Sequence, residues 1–322
     1  DLLFSVIRSF RPDMLLVDKK PAGLAGGLLN SIVGLKLSRP HAKVVLVLRD
    51  ILDSPLKTDA VWRQQWHYEV LEAYYDRVLV LGTRDLFDVC AEYQLPRAVC
   101  NRVEFCGYIR REPSATTRAQ MRRQWGIRES EPVVLVTAGG GEDGYHLIRN
   151  YILGMQSAAP APCHASVVIT GPELSAARQS DVRSMAMLCP RVKVIEFTDD
   201  MMALLNASDV AVCMGGYNTI CEILSLGKRA VVVPRAWPVA EQWIRAERMS
   251  ARGLFRALHP DQLTPAALMR EVSAQLAAHR GGSQLQVDID MDALPRIADF
   301  VRNFSLAPAT GYEAALGVAG RA

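Results

Sequence analysis

The sequence predicts an α/β protein of two units, each a parallel sheet covered by helices, with a cleft between them. Three observations carry this. Short apolar runs rich in β-branched residues alternate with helix-like segments along the chain. The 322 residues, half of them hydrophobic, suffice for two cores. A polar, proline-containing stretch, RREPSATT from Arg110 to Thr117, interrupts the series after its first four strands.

Taken in order, an amphipathic helix opens the chain at residues 2–10 with no strand ahead of it, as expected of a domain that lacks its first strands. Strands follow at 13–17, 43–48, 77–81 and 103–108, with helices at 22–37, 59–75 and 84–93. A further helix spans 116–125 and stops at Gly126; its basic run, Arg118 to Arg123, reads as a solvated face. The second series places strands at 133–137, 166–170, 192–197, 210–214 and 230–233, each ending at Gly, Thr or Pro, where ligand-facing loops belong. Helical spacing returns at 295–304, and the Ala- and Gly-rich tail from Ser305 is expected to be poorly ordered. The expected domains are therefore residues 1–112, residues 113–285, and a C-terminal helix and flexible tail over 286–322.

Composition excludes several function classes. A net charge of +3 with scattered Lys and Arg gives no case for a nucleic-acid partner. Seven dispersed cysteines with no C-x-x-C pair argue against a disulfide framework and against zinc, and fit a reducing cytoplasm. No apolar run approaches the roughly 20 residues of a membrane span, and no signal peptide is visible. Peripheral contact with a membrane surface is compatible with this, and no short repeat is present.

The motifs with chemical content lie in the second half. VVLVTAGGGEDGYHLI follows a strand and precedes a helix, and Gly139, Gly140 and Gly141, with Gly144, would let backbone amides approach a diphosphate. The loop is neither G-x-G-x-x-G nor a Walker A loop, and a plain tight turn explains it as well. In VAVCMGGYNTICEILSLG a buried strand runs into Gly215 and Gly216, and a helix is expected from Asn218 or Thr219 to Gly227. Thr219-Ile-Cys-Glu222 matches a capping box, which would engage Glu222 with the backbone. The other reading uses the same carboxylate to accept both hydroxyls of a ribose. Glu241 and Gln242 open a later helix with acceptors and donors suited to sugar hydroxyls, or as ordinary first-turn residues.

The order of strand, Gly-rich turn, GP strand end, FTDDM, GGYNTICE, VPR and EQ resembles the nucleotide-binding domain of GT-B glycosyltransferases, particularly the family 28 group, from about Val133 to Gly253. The resemblance implies two Rossmann-like domains facing a cleft, the N-terminal one here incomplete. It also implies that Phe197 and the backbone before it meet the base, that Gly215, Gly216, Asn218 and Thr219 hold the diphosphate, that Glu222 binds the ribose, and that Glu241 and Gln242 contact the donor sugar. No metal or other cofactor is implied, because helix dipole and loop amides face the leaving diphosphate. The nearest approach to a D-x-D motif, Asp199-Asp200, leads into a helix instead.

The expected partners are a nucleotide-sugar, with uridine diphosphate implied by the family alone, and an acceptor that is lipid-linked or a small molecule. The expected reaction is transfer of a hexose or N-acetylhexosamine to an acceptor hydroxyl, in the cytoplasm or peripheral to the inner membrane. A nucleotide-sugar epimerase of the same fold and a non-catalytic nucleotide-sugar-binding protein are the alternatives. Asp18 and Asp50, at the ends of two predicted strands, are the candidate bases, against a structural reading as loop caps or ion-pair members. Of the six histidines, His146 alone adjoins a ligand loop, and a surface or capping role is expected for it.

Overall fold

The computed structural model describes residues 2–159, 162–282 and 287–305. The chain divides into two compact units, the first running to Ile109 and resuming at Ile289, the second Arg110–Asp288. In the first, α1 (Leu2–Phe10), β1 (Met14–Asp18), α2 (Leu29–Ser38), β2 (Lys43–Arg49), α3 (Pro55–Gln64), α4 (His67–Tyr74), β3 (Arg77–Leu81), α5 (Val89–Glu92), α6 (Arg97–Cys100) and β4 (Val103–Phe105) follow one another. The strands form a parallel sheet in the order β1-β2-β3-β4. The run KVVLVLR carries no polar alternation because β2 is covered on both faces, with Val44, Val45 and Leu46 fully buried.

The helices of this unit depart from the sequence expectation where tertiary contacts and glycines intervene. The helix expected over 22–37 starts only at Leu29, since Pro21, Gly23, Gly26 and Gly27 lead into a short 3-10 turn at Leu24–Gly26. The one expected over 59–75 is broken at Trp66, which is left-handed at φ 58. Trp62 packs edge-on against both His67 and Tyr68 across that break. The segment 84–93 keeps only α5, capped by the Asp88 carboxylate on the Cys90 amide. The last strand ends at Phe105, short of the expected 108, because the Tyr108 amide donates instead to the Asp290 carbonyl at 2.8 Å.

The second unit contains α7 (Arg118–Gln124), β5 (Val133–Thr137), α8 (Tyr145–Ser157), β6 (Ala165–Ile169), α9 (Ala176–Met187), β7 (Val192–Ile195), α10 (Met201–Ala207), β8 (Val210–Cys213), α11 (Tyr217–Ser225), β9 (Arg229–Val232), α12 (Glu241–Ala251), β10 (Arg256–Ala257) and α13 (Pro265–Arg280). Its parallel sheet has the order β10-β9-β8-β5-β6-β7. From β5 the chain winds out to β7, then crosses back to β8 and winds out the other way. That order puts the topological switch between β5 and β8, the place where doubly wound sheets open a crevice at their carboxyl edge.

After the second unit the chain returns to the first as α14 (Ala293–Ser305). Ala293 is buried with Val45, Leu79 and Cys106, and Ile297, Phe300 and Phe304 pack against them. The tail expected to be disordered lies, beyond Ser305, outside the described residues, as does the expected boundary at residue 285. Among the described residues no helix is long and apolar enough to cross a membrane, and all seven cysteines are free thiols.

The basic run of α7 is not a solvated face. Arg118 and Arg122, one turn apart, clamp the two carboxylate oxygens of Asp209 at 2.6 and 3.0 Å, while the Val133 amide donates to it at 2.7 Å. Arg122 is fully buried and also donates to the carbonyls of Ala207, Arg128, Glu129 and Glu131. Burial opposes the charge on Asp209, but these donors and guanidinium charges hold its carboxyl below the usual range. Asp209→Ala leaves Arg122 buried without its counter-ion, so denaturant unfolding should show a loss of about 3 to 5 kcal/mol; a loss under about 1 kcal/mol would place the pair with surface ion pairs.

His164 gives the same unit a pH dependence. It is buried, bonded through Nε2 to the Tyr151 hydroxyl, and burial with the charges of Arg191 and Arg280 pushes its pKa down to about 4. The folded imidazole is therefore neutral over a range in which the unfolded one binds a proton, so stability falls as pH drops from about 6.5 to about 4. This part of the loss should be on the order of 3 kcal/mol and absent from His164→Gln. Denaturant titrations of both proteins at pH 7 and pH 4 check it, and parallel pH profiles would refute it.

Candidate functional site

Two glycine turns emerge side by side at the switch, since Thr137 ending β5 pairs with Cys213 ending β8. At the second turn Gly215 has φ 78, and a Cβ there would lie 2.7 Å from Val232 Cγ1, so the chain needs glycine at this position. Its carbonyl accepts from Arg245 Nη1 at 3.1 Å. Arg245 is fully buried and lies over the Tyr217 ring, which holds the start of α11 in place.

Helix α11 begins at Tyr217 with Gly216 as its N-cap and no side-chain cap. The capping box expected from Thr219 and Glu222 is therefore not made. Thr219 is already the third residue of the helix, because buried Tyr217 draws the chain into helical conformation two residues early. The helices after β5, β6 and β9 likewise open without a side-chain cap. By contrast α7, α10 and α13 are capped by Thr117, Asp200 and Thr264. Apart from α10, the helices that start at the carboxyl edge of this sheet thus have no side-chain cap, as suits amides that meet an outside acceptor.

Along α11, Asn218, Glu222 and Ser225 share one stripe, and Arg111 lies against it. Its amide donates to Ser225 Oγ at 2.8 Å and its Nη2 to Asn218 Oδ1 at 3.1 Å, while its buried Nε has no partner among the described residues. Glu222 is half-buried. Burial raises its pKa, and the Arg111 charge partly offsets this. A carboxylate relieved of cap duty beside a cation with a vacant donor can bind a ligand that carries both hydroxyls and negative charge.

The first glycine loop is tighter than its sequence implied. A Cβ on Gly141 would sit 2.3 Å from the Thr170 carbonyl, so the loop is pressed onto the end of β6. The Gly139 amide donates to Thr137 Oγ1 and the Gly140 carbonyl accepts from the Glu173 amide. From beyond β9, Arg235 reaches the same loop through Asp143 at 2.9 Å and approaches Glu241 at 3.8 Å. Gln242 accepts from the Arg235 amide at 3.0 Å, which leaves its own amide hydrogens for a ligand. Glu241, Gln242 and the glycines thus share one edge of the unit.

The remaining expected residues are placed as follows. Phe197 is 66% exposed just past β7, and Asp200 of the FTDDM run caps α10 through the Ala203 amide. His146 is exposed on α8. In the first unit, Asp18 is exposed at the end of β1, whereas Asp50 is buried and accepts from the Tyr108 hydroxyl and the Ile51 amide, both at 2.8 Å. Three arginines were missed by the sequence reading. Arg111 lay in a stretch read as the join between the two halves, Arg235 closed the VPR motif without being given a role, and Arg245 fell unremarked within the helix that follows Glu241 and Gln242.

Residues 133–280 match the glycosyltransferase family 28 C-terminal domain. A curated relative, the UDP-N-acetylglucosamine–N-acetylmuramyl-(pentapeptide) pyrophosphoryl-undecaprenol N-acetylglucosamine transferase of Corynebacterium efficiens, is 29% identical over 213 residues, covering 63% of this chain and 54% of that one. The chain spans about half the length of the curated relatives it matches. Its fold is that of the GT-B glycosyltransferases: the calicheamicin glycosyltransferase CalG4 superimposes with a TM-score of 0.58 at 17% identity, over 94% of this chain and 76% of that one. A UDP-GlcNAc 2-epimerase from Neisseria meningitidis shares the fold with a TM-score of 0.61 at 15% identity, over 94% of this chain and 79% of that one.

The raised pKa of Glu222 makes a statement about ligand binding. If its ionised form accepts a ligand's hydroxyls, affinity for a nucleoside diphosphate should begin to fall, on acidification from pH 7, above the ordinary glutamate pKa of about 4.3. Glu222→Gln should lose that part of the dependence while keeping the part due to the ligand's own phosphate. Equal pH profiles for the two proteins would remove Glu222 from the site.

Proposed function

We propose that this chain, whose residues 133–280 match the glycosyltransferase family 28 C-terminal domain, transfers a hexose or N-acetylhexosamine from a uridine diphosphate sugar to an acceptor hydroxyl. The observation that carries the reading is the uncapped start of α11 at the switch point, with the unpartnered Nε of Arg111 beside it. Amides of the Gly215-Gly216 turn and the Arg111 guanidinium then take the diphosphate, with Asn218 and Thr219 in the first turn of the helix. Glu222 takes the ribose hydroxyls, and Phe197 lies at the base. The Gly139 to Gly141 loop, Glu241 and Gln242 face the sugar. The relative's printed name supports uridine diphosphate as the leaving group and a lipid-linked acceptor, with a small-molecule acceptor as the other choice. A cytoplasmic protein peripheral to the membrane fits either.

In the reaction, an acceptor hydroxyl loses its proton to a carboxylate and attacks the anomeric carbon, and the bond to the diphosphate breaks. Charge developing on the diphosphate meets preorganised amides at the positive end of α11 and the Arg111 cation, which stabilise it without reorganisation at the moment of transfer. Asp18 is the better base of the two candidates, because Asp50 is buried and already bonded to Tyr108 and Ile51.

Calorimetric titration with UDP, GDP and dTDP tests the donor site. UDP is expected to bind in roughly the micromolar range, and Arg111→Ala and Glu222→Ala should each weaken it by about 1 to 3 kcal/mol with the circular dichroism spectrum unchanged. A folded chain that binds none of the three overturns the reading. Incubation with UDP-GlcNAc alone separates transfer from epimerisation, since only an epimerase converts it to a second UDP-sugar without an acceptor.

A further inference from the structure

The first unit gathers positive charge at the amino ends of its strands, opposite the edge where ligands of such sheets bind. Lys43 opens β2, Arg77 opens β3, and Arg102 stands just ahead of β4. Because the strands are parallel and adjacent, these side chains emerge at one edge, and with Lys36 they line a pocket of about 210 Å³. Two carboxylates face these four cations. Asp76 is engaged by Lys36 at 2.7 Å and by the Val44 amide at 2.8 Å, and Glu72 is exposed at the rim.

Lys43 is the residue without an account. It is 5% exposed, yet among the described residues its ammonium has neither a hydrogen-bond acceptor nor a carboxylate. Its single charge contact is the Phe304 ring, 5.1 Å to the centroid, and Arg77 lies 5.0 Å from that same centroid. Phe300 stacks on Phe304 at 4.7 Å. One aromatic ring attracts a cation by about 0.5 to 2 kcal/mol, but it supplies no counter-charge to two cations held this close. The Lys43 stem is buried while its ammonium opens into the pocket, where its three donors meet the cavity and no protein acceptor among the described residues. Arg102 donates Nη1 to the carbonyls of Leu71, Glu72 and Tyr75, and Arg77 donates Nη1 to the Asp76 carbonyl. Their other N–H groups have no acceptor among the described residues.

We propose that this pocket binds a phosphate group, either inorganic phosphate or the terminal phosphate of a monoester, between Lys43, Arg77 and Arg102. A tetrahedral dianion offers oxygens in several directions at once, which matches donors arriving from three neighbouring strands. It also supplies the missing counter-charge. The pocket belongs wholly to the first unit and involves none of the residues assigned to the donor nucleotide.

Calorimetric titration of the UDP-saturated chain with inorganic phosphate tests this, with UDP present so that α11 is occupied. Wild type should bind, and Lys43→Met and Arg77→Gln should each bind about tenfold more weakly or worse, as expected for the loss of a charge-assisted hydrogen bond. In phosphate-free buffer Lys43→Met should melt higher than wild type, because it keeps the packing on Phe304 and removes an uncompensated charge. Arg77→Gln serves if Lys43→Met fails to fold. Flotation with phosphatidic acid vesicles, compared with phosphatidylcholine vesicles, separates the sources: Lys43-dependent vesicle binding without a response to free phosphate assigns the site to a lipid head group. Absence of both responses, or phosphate binding that both variants leave unchanged, overturns the proposal.

Discussion

The organisation of the second unit depends on one constraint: the opening amides of a helix have no intrahelical acceptor and must find one elsewhere. At α7 and α13 a threonine side chain meets that need inside the protein. At α11 no N-cap side chain does, and the surroundings hold the start rigid. Gly215 admits no side chain, Arg245 fixes its carbonyl, and Tyr217 is buried beneath the same guanidinium. The amides are thereby aimed and left available, which is the condition for recognising an anion by backbone alone.

The two edges of this sheet are chemically opposite. Around Asp209 a buried carboxylate is saturated by Arg118, Arg122 and a backbone amide, and Lys228 donates to the neighbouring Ser208 carbonyl. Charge there is consumed in holding α7 to the strand ends. Across the sheet, beyond the carboxyl ends of its strands, the Nε atoms of Arg111 and Arg235 have no hydrogen-bond partner among the described residues. A parallel sheet makes this division natural, since all its strands present the same end to the same edge.

Strands were the most legible feature of the sequence, because buried parallel strands are written as uninterrupted β-branched runs such as VVLVT and VAVC. Helices were read less well. The break at Trp66 reflects how Trp62 packs on His67 and Tyr68, which no local pattern encodes. The motif TICE satisfied every local rule for a capping box and still did not form one, because the burial of Tyr217 set the helix start. The arginines of the site were invisible for a related reason: Arg111 and Arg245 acquire meaning only from the glycine turn and the helix stripe they meet in space. The glycines, Asn218 and Glu222 could be named from spacing and resemblance, whereas the groups that give them charge and rigidity could not.

On the proposed reading, the side chains around α11 already contain the exchange that binding requires. Arg111 is shared between Asn218, through one direct bond, and Glu222, through charge alone. A nucleoside diphosphate brings acceptors for the guanidinium and hydroxyl donors for the carboxylate, so each half of a weak internal pairing finds a direct partner. Half-buried charges are costly to desolvate, and prior mutual compensation means that less of that cost falls on the binding step. The consequence is selectivity for a ligand with both features. A bare diphosphate would leave Glu222 less compensated than before, and a bare nucleoside would leave the Arg111 Nε and the α11 amides without an acceptor.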